Sequence, residues 1–170
     1  GHTDRIIDVD ISADGRWLLS SSADGSVRLW EAQTGKQIHQ FDVAPQLTLT
    51  FNRRPRTLFR TPAFQVAFSP DDQTFLLANI ATNNLEWRDV TTGQLLDFWA
   101  DVGSDAVAFS PTGQTIAVAA RNRLYTLELL PGLEPVVLHN FEAEFSDIAF
   151  SPDSHSLVLG SLDQTVRLWD

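Results

Sequence analysis

Cysteine and methionine are both absent from this sequence of 170 residues. Without cysteine there are no disulfides and no thiolate metal sites, so packing and hydrogen bonds must hold whatever forms. Histidine is scarce: His2, His39, His139 and His155 never fall in pairs at metal-ligand spacing. Cations are outnumbered, 12 Lys and Arg against 22 Asp and Glu, for a formal charge of −10. That field opposes sequence-independent binding to nucleic acid, which needs a basic surface around the phosphates. No apolar run reaches membrane-spanning length, and the start lacks the charged and apolar regions of a secretory signal. There is no Gly-x-Ser-x-Gly elbow, no glycine-rich phosphate loop, and no nucleophile with a base nearby. These absences point to a soluble cytoplasmic chain with no catalytic residue, no cofactor, no metal, no membrane and no nucleic acid.

What is present is a phrase that repeats. Residues 156–170 read SLVLGSLDQTVRLWD: Leu157 and Leu159 alternate in the period of two that buries one face of a strand. Asp163 supplies turn chemistry, and Val166, Leu168 and Trp169-Asp170 form a second alternating strand. The phrase returns as SSSADGSVRLWE ending at Glu31, ANIATNNLEWRD ending at Asp89, and AARNRLYTLE ending at Glu128. Each copy is preceded by a strand and a turn opened by Ser12, Ser69, Ser110 or Ser151, at intervals of 57, 41 and 41 residues.

The recurring hairpins ending in Trp-Asp, about 40 residues apart, resemble the WD-repeat (WD40-type) β-propeller family. The resemblance implies an all-β chain of about four blades, each a four-stranded antiparallel sheet, in a partial or open propeller. The blades span approximately 1–41, 62–99, 104–141 and 145–170, with an insertion over 42–61 and no outer strand in the last blade. By the same resemblance Gly1-His2 joins two blades and Trp169-Asp170 precedes an outer strand. With no methionine, the sequence therefore reads as an excerpt of a longer propeller. Four blades could also close as a small ring, pair with a second chain to make eight, or remain an open arc.

In WD-repeat proteins a His, an Asp of the second turn, a Ser or Thr and the Trp are joined by hydrogen bonds inside the blade. Carried over, these are His2, Asp24, Trp30 and either Ser20 or Ser22, between which pattern alone does not choose. The second copy keeps Trp87 but has Ala81 for the Asp. The third has Leu127 at the Trp position and a shorter turn. The fourth keeps Asp163 and Trp169 with Phe141 in place of the His. Apolar alternation survives in every copy, so sheet packing should dominate stability. In the first strand Ile7, Val9 and Ile11 form the apolar face, interrupted by Asp8 and Asp10. Asp10 is anomalous, because the matching positions hold Ala67, Ala108 and Ala149. The run from Asp8 to Gly15 resembles the opening of a calcium loop, but Ser21 stands where the bidentate Glu is required.

In the insertion, residues 47–51 alternate as a strand, 52–55 suit a turn, and 56–60 suit a return strand. Arg53, Arg54, Arg56 and Arg60 gather four of the twelve cations within eight positions. They either solubilise an extended blade edge or, with Arg121 and Arg123, form a cationic rim that orients an anionic partner segment. The opposite rim would collect Asp14, Glu31, Asp71, Asp72, Asp89, Glu128 and Asp153. Three functions follow. The first is a non-catalytic scaffold that binds another protein or peptide through its loop faces. The second, suggested by bacterial-looking FSPD and FSPTG turns, is a sensor arm of a larger signalling kinase or ATPase. The third and weakest is a propeller-borne hydrolase. The open flanks imply a homodimer or missing flanking blades.

Overall fold

In the computed structural model every regular element is a β-strand among the residues described, 1–42, 48–51, 54–57, 64–79, 82–102, 105–120, 122–129, 136–142 and 144–170. The first sheet runs β1 (Ile6–Ile11), β2 (Trp17–Ser22), β3 (Ser26–Glu31) and β4 (Lys36–Asp42) in chain order. A separate hairpin follows, β5 (Thr48–Phe51) with β6 (Arg54–Thr57). The second sheet is β7 (Phe64–Phe68), β8 (Thr74–Asn79), β9 (Asn84–Asp89) and β10 (Leu95–Trp99). The third is β11 (Ala106–Phe109), β12 (Thr115–Ala120), β13 (Arg123–Glu128) and β14 (Val136–Asn140). The fourth has three strands, β15 (Phe145–Phe150), β16 (Leu157–Ser161) and β17 (Val166–Trp169). All pairings are antiparallel.

The repeated serines explain why each sheet starts the same way. The backbone N–H of Ser12, Ser69, Ser110 and Ser151 donates to the carbonyl of the residue five positions on, at 3.0, 2.9, 2.8 and 2.8 Å. Each hydroxyl oxygen accepts that residue's N–H in return, closing a tight reversal. The residue three positions after each serine is left-handed: Gly15, Asp72, Gly113 and Ser154. Two of the four are therefore not glycine, which costs backbone energy unless the side chain is used.

The four sheets stand side by side as propeller blades, with β1, β7, β11 and β15 packed in that order. Apolar cores lie between blades. Leu19, Val27 and Leu29 of the first meet Val66, Phe68, Phe75 and Leu77 of the second. Leu76, Leu85 and Trp99 meet Ile116, Val118 and Leu127. Ala117, Ala119 and Leu124 meet Ile148, Leu157 and Leu159. Thirteen of these side chains, among them Leu19, Phe75, Leu76, Ile116, Leu124 and Leu159, are at 0 % exposure, which shows how fully one blade covers the next.

Two expectations are corrected. Val9 and Ile11 do not form a buried face; they are 59 % and 57 % exposed. The opposite side of β1 faces the second blade, and there Asp8 and Asp10 accept the backbone N–H groups of Val66 and Phe68 at 3.0 and 2.7 Å. In the insertion, the return strand begins at Arg54 rather than Arg56, with Pro55 opposite Thr50, a position tolerable in a two-stranded ribbon.

Candidate interaction face

The hydrogen-bonded set of the first blade is built from β2, the β2–β3 turn and the segment leading into β1. His2 Nδ1 lies 3.0 Å from Asp24 Oδ2, and His2 Nε2 lies 2.8 Å from Ser20 Oγ. Trp30 Nε1 donates to the same Ser20 oxygen at 2.8 Å. Ser20 thus takes the shared position. Ser22 instead donates to the Asp4 and Arg5 carbonyls and accepts the Asp24 N–H. Burial alone would raise the Asp24 carboxyl, but the Thr3 N–H, the Ser26 hydroxyl and the His2 ring hold it well below the usual range. The loop is thereby pinned to the strands, as a buried polar network requires.

In the fourth blade Asp163 accepts from the Thr165 N–H and hydroxyl, and pairs with Arg167 at 2.5 Å. Phe141 and Trp169 meet edge-on with ring centroids 6.1 Å apart, the same separation as His2 and Trp30. Aromatic packing stands there in place of the hydrogen bonds. Trp87 is not the counterpart of Trp30, and its place in that set is corrected by the register. Glu31 lies opposite Trp17 and Asp89 opposite Thr74, which puts Trp87 at the position of Leu29 and Arg88 at that of Trp30. Trp87 turns toward the third blade, where its indole nitrogen is buried without a partner among the described residues. Arg88 pairs with Glu86 at 2.7 Å, donates to the Gly93 carbonyl at 2.8 Å, and lies over Phe41. Counting back from the terminal acidic residue, LWE against WRD, carries that signal in the sequence.

Of the proposed cationic rim, Arg53, Arg60 and Arg121 lie outside the described residues, as does Ala81. Arg54 and Arg56 are on β6, opposite Phe51 and Leu49. Arg123 opens β13 and lines a cleft of about 210 Å³ between the second and third blades, with Asn83, Asp101, Val102, Asn122 and Tyr125. Its guanidinium is exposed and donates to the Tyr125 hydroxyl at 3.3 Å, a contact that raises its pKa further. Arg28 and Arg167 each pair with the aspartate four residues before them, and Arg88 with Glu86. Arg123 has no such carboxylate among the described residues.

The opposite face is spent on its own turns. A cleft of about 380 Å³ is lined there by Asp14, Arg16, Trp17, Asp71, Asp72 and Thr91. Asp72 accepts the N–H groups of Ala13 and Asp14 at 2.7 and 2.8 Å. Asp14, Asp71 and Asp153 accept the hydroxyls of Ser12, Ser69 and Ser151. The Ser12 hydroxyl and the Arg16 N–H hold the Asp14 carboxyl below its ordinary range, and the Ser151 hydroxyl and the His155 N–H do so for Asp153.

The family model "WD domain, G-beta repeat" matches residues 1–31 and 136–170, the segments that hold His2, Asp24 and Trp30 at one end and Phe141, Asp163 and Trp169 at the other. In these two segments the chain matches the WD repeat. Eukaryotic translation initiation factor 3 subunit I of Aspergillus fumigatus is 27% identical over 190 residues, covering 99% of this chain and 51% of that protein. WD repeat-containing protein SL1-17 of Schistosoma mansoni is 27% identical over 172 residues, covering 100% of this chain and 52% of its own length. Ribosome biogenesis protein ERB1 of Debaryomyces hansenii is 52% identical over 40 residues, 24% of this chain and 5% of that protein. The chain spans about half the length of the first two relatives. These named relatives are eukaryotic and give no support to the bacterial signalling-enzyme reading. Among the described residues no helix is long and apolar enough to cross a membrane.

Proposed function

We propose that this WD-repeat chain is a non-catalytic scaffold that holds a partner protein or peptide against the face carrying the β8–β9 and β12–β13 turns. The observation that carries the reading is the state of Arg123. The other strand arginines with described side chains, Arg28, Arg88 and Arg167, are neutralised within their own blades. Arg123 keeps its charge toward solvent, beside a cleft lined by two amides, the Tyr125 hydroxyl and one carboxylate, Asp101, with which it forms no ion pair among the described residues. A guanidinium so placed can take a carboxylate in two parallel hydrogen bonds, while Asn83, Asn122 and Tyr125 offer donors and acceptors to peptide groups. The anionic segment envisaged for the rim of Arg53, Arg54, Arg56, Arg60, Arg121 and Arg123 fits this chemistry. Relatives whose names place them in translation initiation and ribosome biogenesis support a role in assembly rather than turnover.

The test is binding of a fluorescent acidic peptide, rich in Glu and Asp and interspersed with aromatics, followed by anisotropy at low and moderate salt. Arg123→Gln should weaken binding several-fold and flatten its salt dependence. Replacing Arg53, Arg54, Arg56 and Arg60 by Ser should leave folding intact and add a further loss. Binding indifferent to salt and to all five substitutions overturns the reading.

A further inference from the structure

Building on the scaffold reading, we propose that the Arg123 cleft takes a pair of opposite charges, an acidic side chain with a basic one beside it in the same partner segment, and that Asp101 selects the basic member. Arg123 opens β13, whereas Asp101 lies in the connection from β10 to β11. Two neighbouring four-stranded blades thus bring both charges to one cleft of about 210 Å³.

Neither charge is neutralised where it stands. Arg123 donates to the Tyr125 hydroxyl at 3.3 Å, which leaves most of the guanidinium donors open. The Asp101 carboxylate has no hydrogen-bond or ion-pair partner among the described residues, Arg123 included. Asp72 makes the comparison, because it is left-handed too, at φ 58° against 59° for Asp101. The Asp72 oxygens accept the Ala13 and Asp14 N–H groups. Asp101 bears the same backbone cost and uses its carboxylate on nothing within the chain.

The carboxylate is also held in place. Trp99 and Val102, on either side of it in the chain, are 5 % and 3 % exposed in the core between the second and third blades. The cleft is lined as well by Ala120 and Tyr125, at 5 % and 7 %. Charges bound against such a buried surface lose part of their water and feel one another more strongly.

A carboxylate on Arg123 alone brings a second negative charge beside Asp101, and like charges so juxtaposed lower affinity. A segment with a lysine or arginine next to its acidic residue satisfies both walls. The chain's charge of −10 acts in the same direction, since it repels a purely acidic segment at a distance. A phosphate group, with up to about two negative charges, meets more of this repulsion than a carboxylate does.

The test is fluorescence anisotropy of the whole chain with three peptides of one sequence that differ at a single pair of positions, Glu-Lys, Glu-Gln or Glu-Glu. The parent should bind the Glu-Lys peptide roughly tenfold more tightly than the Glu-Glu peptide, with Glu-Gln between them. Asp101→Asn, a residue type that tolerates positive φ, should bring the three affinities together. Asp101→Lys should reverse their order. Circular dichroism and melting of Asp101→Asn should match the parent, because the carboxylate has no internal partner to lose. A purely structural role for Asp101 would not reverse a preference between peptides. An order unchanged in both variants overturns the assignment of Asp101, while binding that still falls with Arg123→Gln leaves the scaffold reading standing. Failure of all three peptides to bind, or binding indifferent to Arg123→Gln, overturns that reading and the charge-pair site with it.

Discussion

Asp10 of the first blade accepts the backbone N–H of Phe68 in the second at 2.7 Å. The inner edge of β7 would otherwise leave that donor without a strand to pair with, and a buried donor left unpaired costs about 1–3 kcal/mol. The three later blades hold Ala at the matching position, so this rivet belongs to one interface only. Asp10→Ala should lower stability by about 1–3 kcal/mol in urea unfolding. Asp10→Asn should lose less, because an amide oxygen still accepts.

The shared oxygen of Ser20 makes a sharper comparison with Ser22. Ser20→Ala removes the partner of both the Trp30 indole and the His2 ring, leaving two largely buried groups without it. A loss of about 1–3 kcal/mol is expected, together with faster exchange of the Trp30 indole proton by NMR. Ser22→Ala removes a hydroxyl whose acceptor, the Arg5 carbonyl, already receives the Ala23 N–H at 2.9 Å. It should cost about 1 kcal/mol or less and leave the indole signal unmoved.

Strand positions, turns and blade order are readable in the sequence because period-two alternation and serine-opened turns are local signals. Three features are not, and each for a physical reason. The face of β1 that meets the second blade carries Asp10, whose carboxylate meets a backbone N–H some 58 residues away, a contact no window shows. Trp87 carries the right residue type at the wrong step of the register, and a shift of one residue in a strand reverses its face. The cleft at Arg123 is assembled from two turns and a connection, Asn83, Asn122 and Asp101, whose proximity follows only from blade packing. Composition, by contrast, drew attention to arginine density without showing which arginines are already paired.

Acid and base should act on different carboxylates. The hydrogen bonds at Asp24 depress its folded pKa despite burial, so its stabilising contribution is present above the unfolded value near about 3.9 and is lost as pH falls below it. Asp8 behaves oppositely. Burial raises it against the Val66 and Val9 N–H groups, helped by the charges of Asp10 and Asp147, so its contribution is greatest in acid and is lost as pH rises through the raised value. In thermal melts across roughly pH 3 to 7.5, Asp24→Asn should flatten the acid limb. Asp8→Asn should remove the decline above about pH 4 while keeping an acceptor for Val66, as the neutral Gln65 does for Val107. If both variants keep the parent's slopes, these carboxylates do not govern its pH dependence.

Asp72 stands at a turn position where two sister blades use glycine, with φ of 58°. A non-glycine residue there costs about 1 kcal/mol, so Asp72→Gly would stabilise the turn if conformation alone mattered. The carboxylate, however, receives the Ala13 and Asp14 N–H groups of the preceding blade at 2.7 and 2.8 Å. Hydrogen bonds to a charged acceptor contribute about 1.5–3 kcal/mol each, less where water reaches them. The lost bonds therefore outweigh the relieved backbone, and Asp72→Gly should destabilise by about 1–3 kcal/mol. Hydrogen exchange locates the effect: the Ala13 and Asp14 amides should lose protection, while the Gly113 turn, which makes no such reach, should not change. A variant more stable than the parent would show that backbone strain, not the interblade clamp, decides at this position.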